Sequence, residues 1–134
     1  MPETKKPENN ESKGAFDGAI VYQYSRKQAI EDGVLADLSQ FSINGPFKFP
    51  VAVTETVFNI MQEAVENKQH GNSYQGILAD MAATIAIGQQ DGNICLFKTI
   101  ISGVEAGKVF DFKAVCHAGD NGEPVVTIML PSED

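Results

Sequence analysis

The sequence has no Trp, only two Cys and two His, a single Arg and no long hydrophobic run. Each shortage removes a class of protein. No apolar stretch approaches the ~18 residues that a membrane-spanning helix needs. The opening MPETKKPENNESKG offers no apolar core for a signal peptide. A soluble, cytoplasmic protein is therefore the expectation. Cys95 and Cys116 form no C-x-x-C pair, and two His cannot make a His-rich cluster, so neither a metal site nor a cofactor is expected. Both thiols read as small buried hydrophobes, because a reactive Cys needs an electropositive, partly exposed setting. Positive charge is scarce as well: ten Lys and Arg stand against 18 Asp and Glu, a net charge of −8. That balance argues against direct nucleic-acid binding, which rests on Lys and Arg neutralising phosphates.

What is present fits one domain, since 134 residues lie inside the usual ~100–200. Residues 1–15 hold Pro, Glu, Lys, Asn and Ser and too little apolar surface to offset ordering entropy, so a disordered arm is expected there. Residues 16–134 read as a single α+β domain. A strand is expected at Ala19–Tyr24, rich in β-branched and aromatic residues. Ser25 to Gln28 match a capping box, which opens a short helix from Arg26 to Asp32, with Gly33 suited to the left-handed position behind it. A brief strand around Val34–Leu38 and an extended segment, Phe47–Val53, follow.

Thr54 is a good N-cap, and Val57, Phe58, Ile60, Met61, Ala64 and Val65 recur at helical spacing through about Asn67. Ser73 caps a second helix to about Ile87, with Ile77, Leu78, Met81, Ala82, Ile85 and Ala86 as its stripe. Gln89–Asn93 reads as a turn. Ile94–Ile101 is nearly continuous in apolar residues, which predicts a strand covered on both faces. Phe110, Phe112, Ala114 and Cys116 alternate with Asp111 and Lys113, the period of a strand with one solvated face. Val125–Leu130 is the last strand, ended by Pro131. The fold class is α+β: an antiparallel sheet of about four strands with two main helices packed on one face, plus the short N-terminal helix.

Chemistry-bearing residues are sparse. Cys116 and His117 could belong to a small enzyme, but neighbours on a strand point to opposite faces and a nucleophile needs its base within hydrogen-bond reach. No catalytic residue is assigned. Ala118–Glu123 carries turn chemistry without the spacing of a calcium loop. Arg26, the lone Arg, follows Tyr22 and Tyr24; a guanidinium pairs with phosphate and stacks on rings, although it can equally lie along Tyr24 at the surface. Tyr24, Arg26, Lys113 and His117 are the candidate ligand-binding set. The acidic carboxyl end, Asp120, Glu123, Glu133 and Asp134, is the candidate partner-binding set.

Three stretches, Tyr22 to Asp37, Phe47 to Thr54 and Lys113 to Asp134, together resemble a family of small uncharacterised proteins encoded on bacterial plasmids, phages and integrative elements. Phe58 stands where that family carries a Trp. The resemblance implies no activity and no catalytic residue. It implies a setting, the accessory genes of mobile elements, many of which interfere with host defence. The expected function is a non-catalytic protein that blocks or sequesters a host factor, either a defence protein or a nucleotide messenger held with Tyr24, Arg26 and Lys113. An acidic DNA mimic or a plasmid-maintenance regulator would suit the same setting. Because the Ile94–Ile101 run needs cover on both faces, a homo-oligomer is expected too.

Overall fold

The computed structural model describes residues 24–42, 47–105 and 108–133. The expected arm and all but the last residue of the expected Ala19–Tyr24 strand lie outside these residues. The first described element is the short helix α1 (Arg26–Glu31). Ser25 caps it, its hydroxyl accepting from the Gln28 amide at 3.0 Å. Only this half of the expected capping box forms. The Gln28 side chain points the other way, its Nε2 donating to Asp32 Oδ1 one turn on at 3.2 Å. Gly33 then leaves the helix at φ +79°, the left-handed conformation that a glycine adopts without steric cost.

The chain continues through strands β1 (Leu35–Asp37) and β2 (Val51–Thr54), helices α2 (Glu55–Glu66) and α3 (Tyr74–Ala86), and strands β3 (Gln89–Asp91), β4 (Ile94–Ile100), β5 (Val109–Ala118) and β6 (Pro124–Met129). They form one sheet in the order β1-β2-β6-β5-β4-β3. The expectation of about four antiparallel strands is therefore corrected to six in a mixed sheet. β2 and β6 pair in parallel, with Val51, Ala52 and Val53 opposite Val126, Thr127 and Ile128, while the other neighbours are antiparallel. The cause lies in the path of the chain. β3 to β6 run as a meander, and its last strand arrives beside β2 pointing the same way. β1 and β3 are three residues each, too short to show a period, and the expected turn at Gln89–Asn93 shrinks to Gly92 and Asn93 between β3 and β4.

Helices α2 and α3 cover one face of the sheet. Thr54 and Ser73 cap them as expected, accepting from Val57 N at 3.5 Å and Gly76 N at 3.0 Å. Val57, Met61 and Ala64 of α2 and Ile77, Leu78 and Met81 of α3 are buried against Val51, Val53, Phe97, Phe112 and Ile128 of the sheet. Each such large side chain contributes roughly 1.5–3 kcal/mol relative to an exposed one. Phe112 sits between two aromatic neighbours, with ring centroids 5.8 Å from both Phe97 and Phe110.

The second face is covered unevenly. α1 lies over its β1-β2-β6 half, where Ala29, Ala52 and Thr127 are buried. All four residues of β2 are buried, as expected for a strand covered on both sides. The segment after β6 folds across the next part: Glu133 Oε1 accepts from Thr54 Oγ1 and from Leu130 N, both at 2.8 Å, and the Glu133 carbonyl accepts from Lys113 Nζ at 2.6 Å. Neither reaches β4. There the single chain covers one face only: Cys95, Phe97 and Thr99 are buried while Leu96, Lys98 and Ile100 are exposed. Cys116 corrects a second expectation. It shares the helix-covered face of β5 with Phe112 and Ala114 but is exposed. It lies beyond the end of the helical cover, beside the turn residue Asn93, whose carbonyl accepts from its amide at 2.9 Å.

Candidate functional site

Two places on the second face carry chemistry. The first is where α1 meets the β5–β6 hairpin. Asp120 in that hairpin accepts from the backbone amides of Arg26 and Lys27, at 2.8 and 3.0 Å, one on each carboxylate oxygen. These are orphan first-turn donors, and a carboxylate at a helix start also meets the positive end of the dipole. The amides of Lys27 and Arg26 hold the Asp120 carboxyl below its ordinary value. The part-buried Arg26 side chain turns down onto the sheet. Its Nη1 donates to Thr127 Oγ1 at 2.8 Å and its Nη2 to the Val126 carbonyl at 2.9 Å. Burial lowers its pKa, against the pull of Asp37, Asp120 and Glu123, and the guanidinium stays charged.

His117 joins this network from β5. Its Nε2 lies 2.8 Å from Thr127 Oγ1 and its Nδ1 3.2 Å from the Ala118 carbonyl. Thr127 Oγ1 therefore accepts from Arg26 Nη1 and shares a second hydrogen bond with His117 Nε2, which links the two side chains. His117 shares a face with Thr127, and Cys116 takes the opposite face of β5, so the two do not meet.

The other expected ligand residues are elsewhere. The Tyr24 hydroxyl donates to Asp32, which raises its pKa. Lys113 holds the Glu133 carbonyl, and Glu133 bridges Thr54 and Leu130. Glu123 accepts from Asn121 N at 2.9 Å within its own turn. Asp134 lies outside the described residues. Arg26, His117 and Asp120 are therefore brought together, whereas Lys113 and Glu133 bond each other at a second place and Tyr24 and Glu123 each serve a bond of their own. Among the described residues no three His, Cys, Asp or Glu side chains come together as a metal-ligand set.

The second place is the open strip of β4 and β5, of which the sequence pattern marks the Ile94–Ile101 run as needing cover but names no β5 residue as its neighbour. Its register sets Ile100 opposite Val109, Lys98 opposite Asp111 and Leu96 opposite Lys113. Leu96, Val109 and Ile100 are 44, 48 and 60% exposed. Lys98 Nζ and Asp111 Oδ1 pair at 2.6 Å in the middle. Ile87, 85% exposed at the end of α3, and Pro131 after β6 border a trough of about 620 Å³ whose lining includes Leu96, Lys98 and Asp111. Lys98 was the available signal, since a cation inside an apolar run marks a face that meets water.

No helix among the described residues is long and apolar enough to cross a membrane. No curated protein and no solved structure matches the chain. A family model does match it, over residues 13–134 and so across all of the described fold. On that match the chain belongs to the family described as Family of unknown function (DUF6573).

Proposed function

We propose that this protein is a non-catalytic binding protein that docks a host protein on the open β4–β5 strip. The observation that carries this reading is the pairing of two facts. Arg26, Lys113, Asp120, Glu123 and Glu133 are engaged in bonds within the fold, and the strip presents Leu96, Ile100, Val109 and Ile87 to solvent around one Lys–Asp pair. Large apolar side chains gathered on one exposed face favour a macromolecular partner. The sequence resemblance supplies the setting, in which a plasmid, phage or integrative element blocks a host defence factor.

The nucleotide-messenger reading is weaker. Phosphate recognition needs free cations in a concave, largely enclosed site. Arg26 is committed to Thr127 and Val126, and Lys113 to Glu133.

The test is retention of proteins from a bacterial host lysate on the full chain, beside a Leu96→Asp/Ile100→Asp variant shown by circular dichroism to be folded. A defined protein held in stoichiometric amount by the wild type and lost from the variant is expected. Equal retention by both would reject the strip. A nucleotide seen on the purified chain by native mass spectrometry, and lost in Arg26→Ala, would replace this reading with the messenger one.

A further inference from the structure

We infer that, until a target takes it, the strip is covered by a second copy of this chain in a two-fold dimer. The inference rests on the docking reading above and concerns the same surface. Charge is the argument for this occupant. The chain carries −8, so two copies repel one another wherever acidic surfaces approach within about 8 Å, the screening length at physiological salt. The strip is locally balanced, with Lys98 and Asp111 side by side at 2.6 Å on neighbouring strands.

That arrangement is also self-complementary. A two-fold interface repeats one patch on both subunits. Let the axis run parallel to the strands, between β4 and β5. Lys98 of each copy then lies over Asp111 of the other, and Ile100 lies over Val109. Leu96 falls over the aliphatic stem of Lys113, whose amine is held by the Glu133 carbonyl. Ile87 and Pro131, at the borders of the trough, extend the apolar contact. A standard interface takes roughly 800 Å² from each partner. A face two strands wide is small against that figure, so the dimer is weak and dissociates on dilution. Weakness suits the role, because a target must be able to displace the second copy.

The experiment is sedimentation velocity of the full chain over a range of concentrations, with Lys98→Asp, Asp111→Lys and an equimolar mixture of the two. The wild type should dimerise at high concentration. Each single variant, now carrying two like charges in the strip, should be monomeric where the wild type is dimeric. In the mixture every Lys meets an Asp across the interface, so a heterodimer should form. That rescue also shows both variants to be folded, and a purely intrachain role for the Lys98–Asp111 pair would not produce it.

A wild type that is monomeric throughout overturns the inference, as do single variants that still dimerise or a mixture that stays monomeric. A monomer that nevertheless retains a host protein through Leu96 rejects the dimer and leaves the docking reading standing. A strip-mediated dimer that retains no host protein does the reverse.

Discussion

At Gly88 a Cβ would lie 2.8 Å from Cys95 Sγ and 2.8 Å from the Leu96 carbonyl oxygen. The second of these is backbone, which cannot swing aside, so α3 and β3 reach β4 only with a glycine between them. Gly88→Ala is expected to cost ~1–3 kcal/mol, the usual penalty of overpacking, read as a lower urea midpoint at an unchanged slope. Asp120 acts at the same scale through its two backbone hydrogen bonds. Its folded pKa is depressed by the Lys27 and Arg26 amides, so its contribution is present above the unfolded value of ~3.9. It is lost as pH falls through the lower folded value. Asp120→Asn should therefore lower the urea midpoint at pH 7, and the gap from wild type should close on acidification below pH ~4. A gap of equal size at pH 7 and pH 3 would contradict this account.

Among the elements, α2 and α3 begin alike in sequence and differ in what their caps hold. Ser73 only accepts, from Gly76 N. Thr54 accepts from Val57 N and also donates to Glu133 Oε1, which ties the carboxyl-terminal segment to β2. Ser73→Ala is expected to cost ~0.5–1 kcal/mol and Thr54→Ala ~1–2 kcal/mol, because the second leaves a carboxylate bond unmade as well. Denaturant titration of the two variants side by side checks the order, and equal costs would remove Glu133 from the explanation. These helices were legible in the sequence because cap, apolar period and stop are all local. β5 was legible through the alternation of Phe110, Phe112 and Ala114 with Asp111 and Lys113. The parallel placement of β6 beside β2 was not, since nothing within either strand encodes its neighbour. The candidate site divides the same way. Arg26 was singled out for being the lone Arg, but its partner Thr127 lies 101 residues away, a distance that no local pattern spans.

At the scale of the whole molecule, the sheet has one face completed by α2 and α3 and a second face left open over β4 and β5, and the two respond differently to polar substitution. Phe112 is fully buried between Phe97 and Phe110, and Phe112→Ala is expected to cost ~3–5 kcal/mol through lost burial and the cavity left behind. Ile100 belongs to the same sheet, but at 60% exposure it gives the monomer little. Ile100→Thr keeps the β-branch that suits a strand and should change stability by no more than ~0.5 kcal/mol, measured by urea titration at high dilution. The same substitution should weaken whatever covers the strip, because it removes apolar surface at the contact. An Ile100→Thr variant that loses ~2 kcal/mol or more as a dilute monomer would show that the side chain serves the fold. A variant of unchanged stability and impaired association would show that its apolar surface serves a partner.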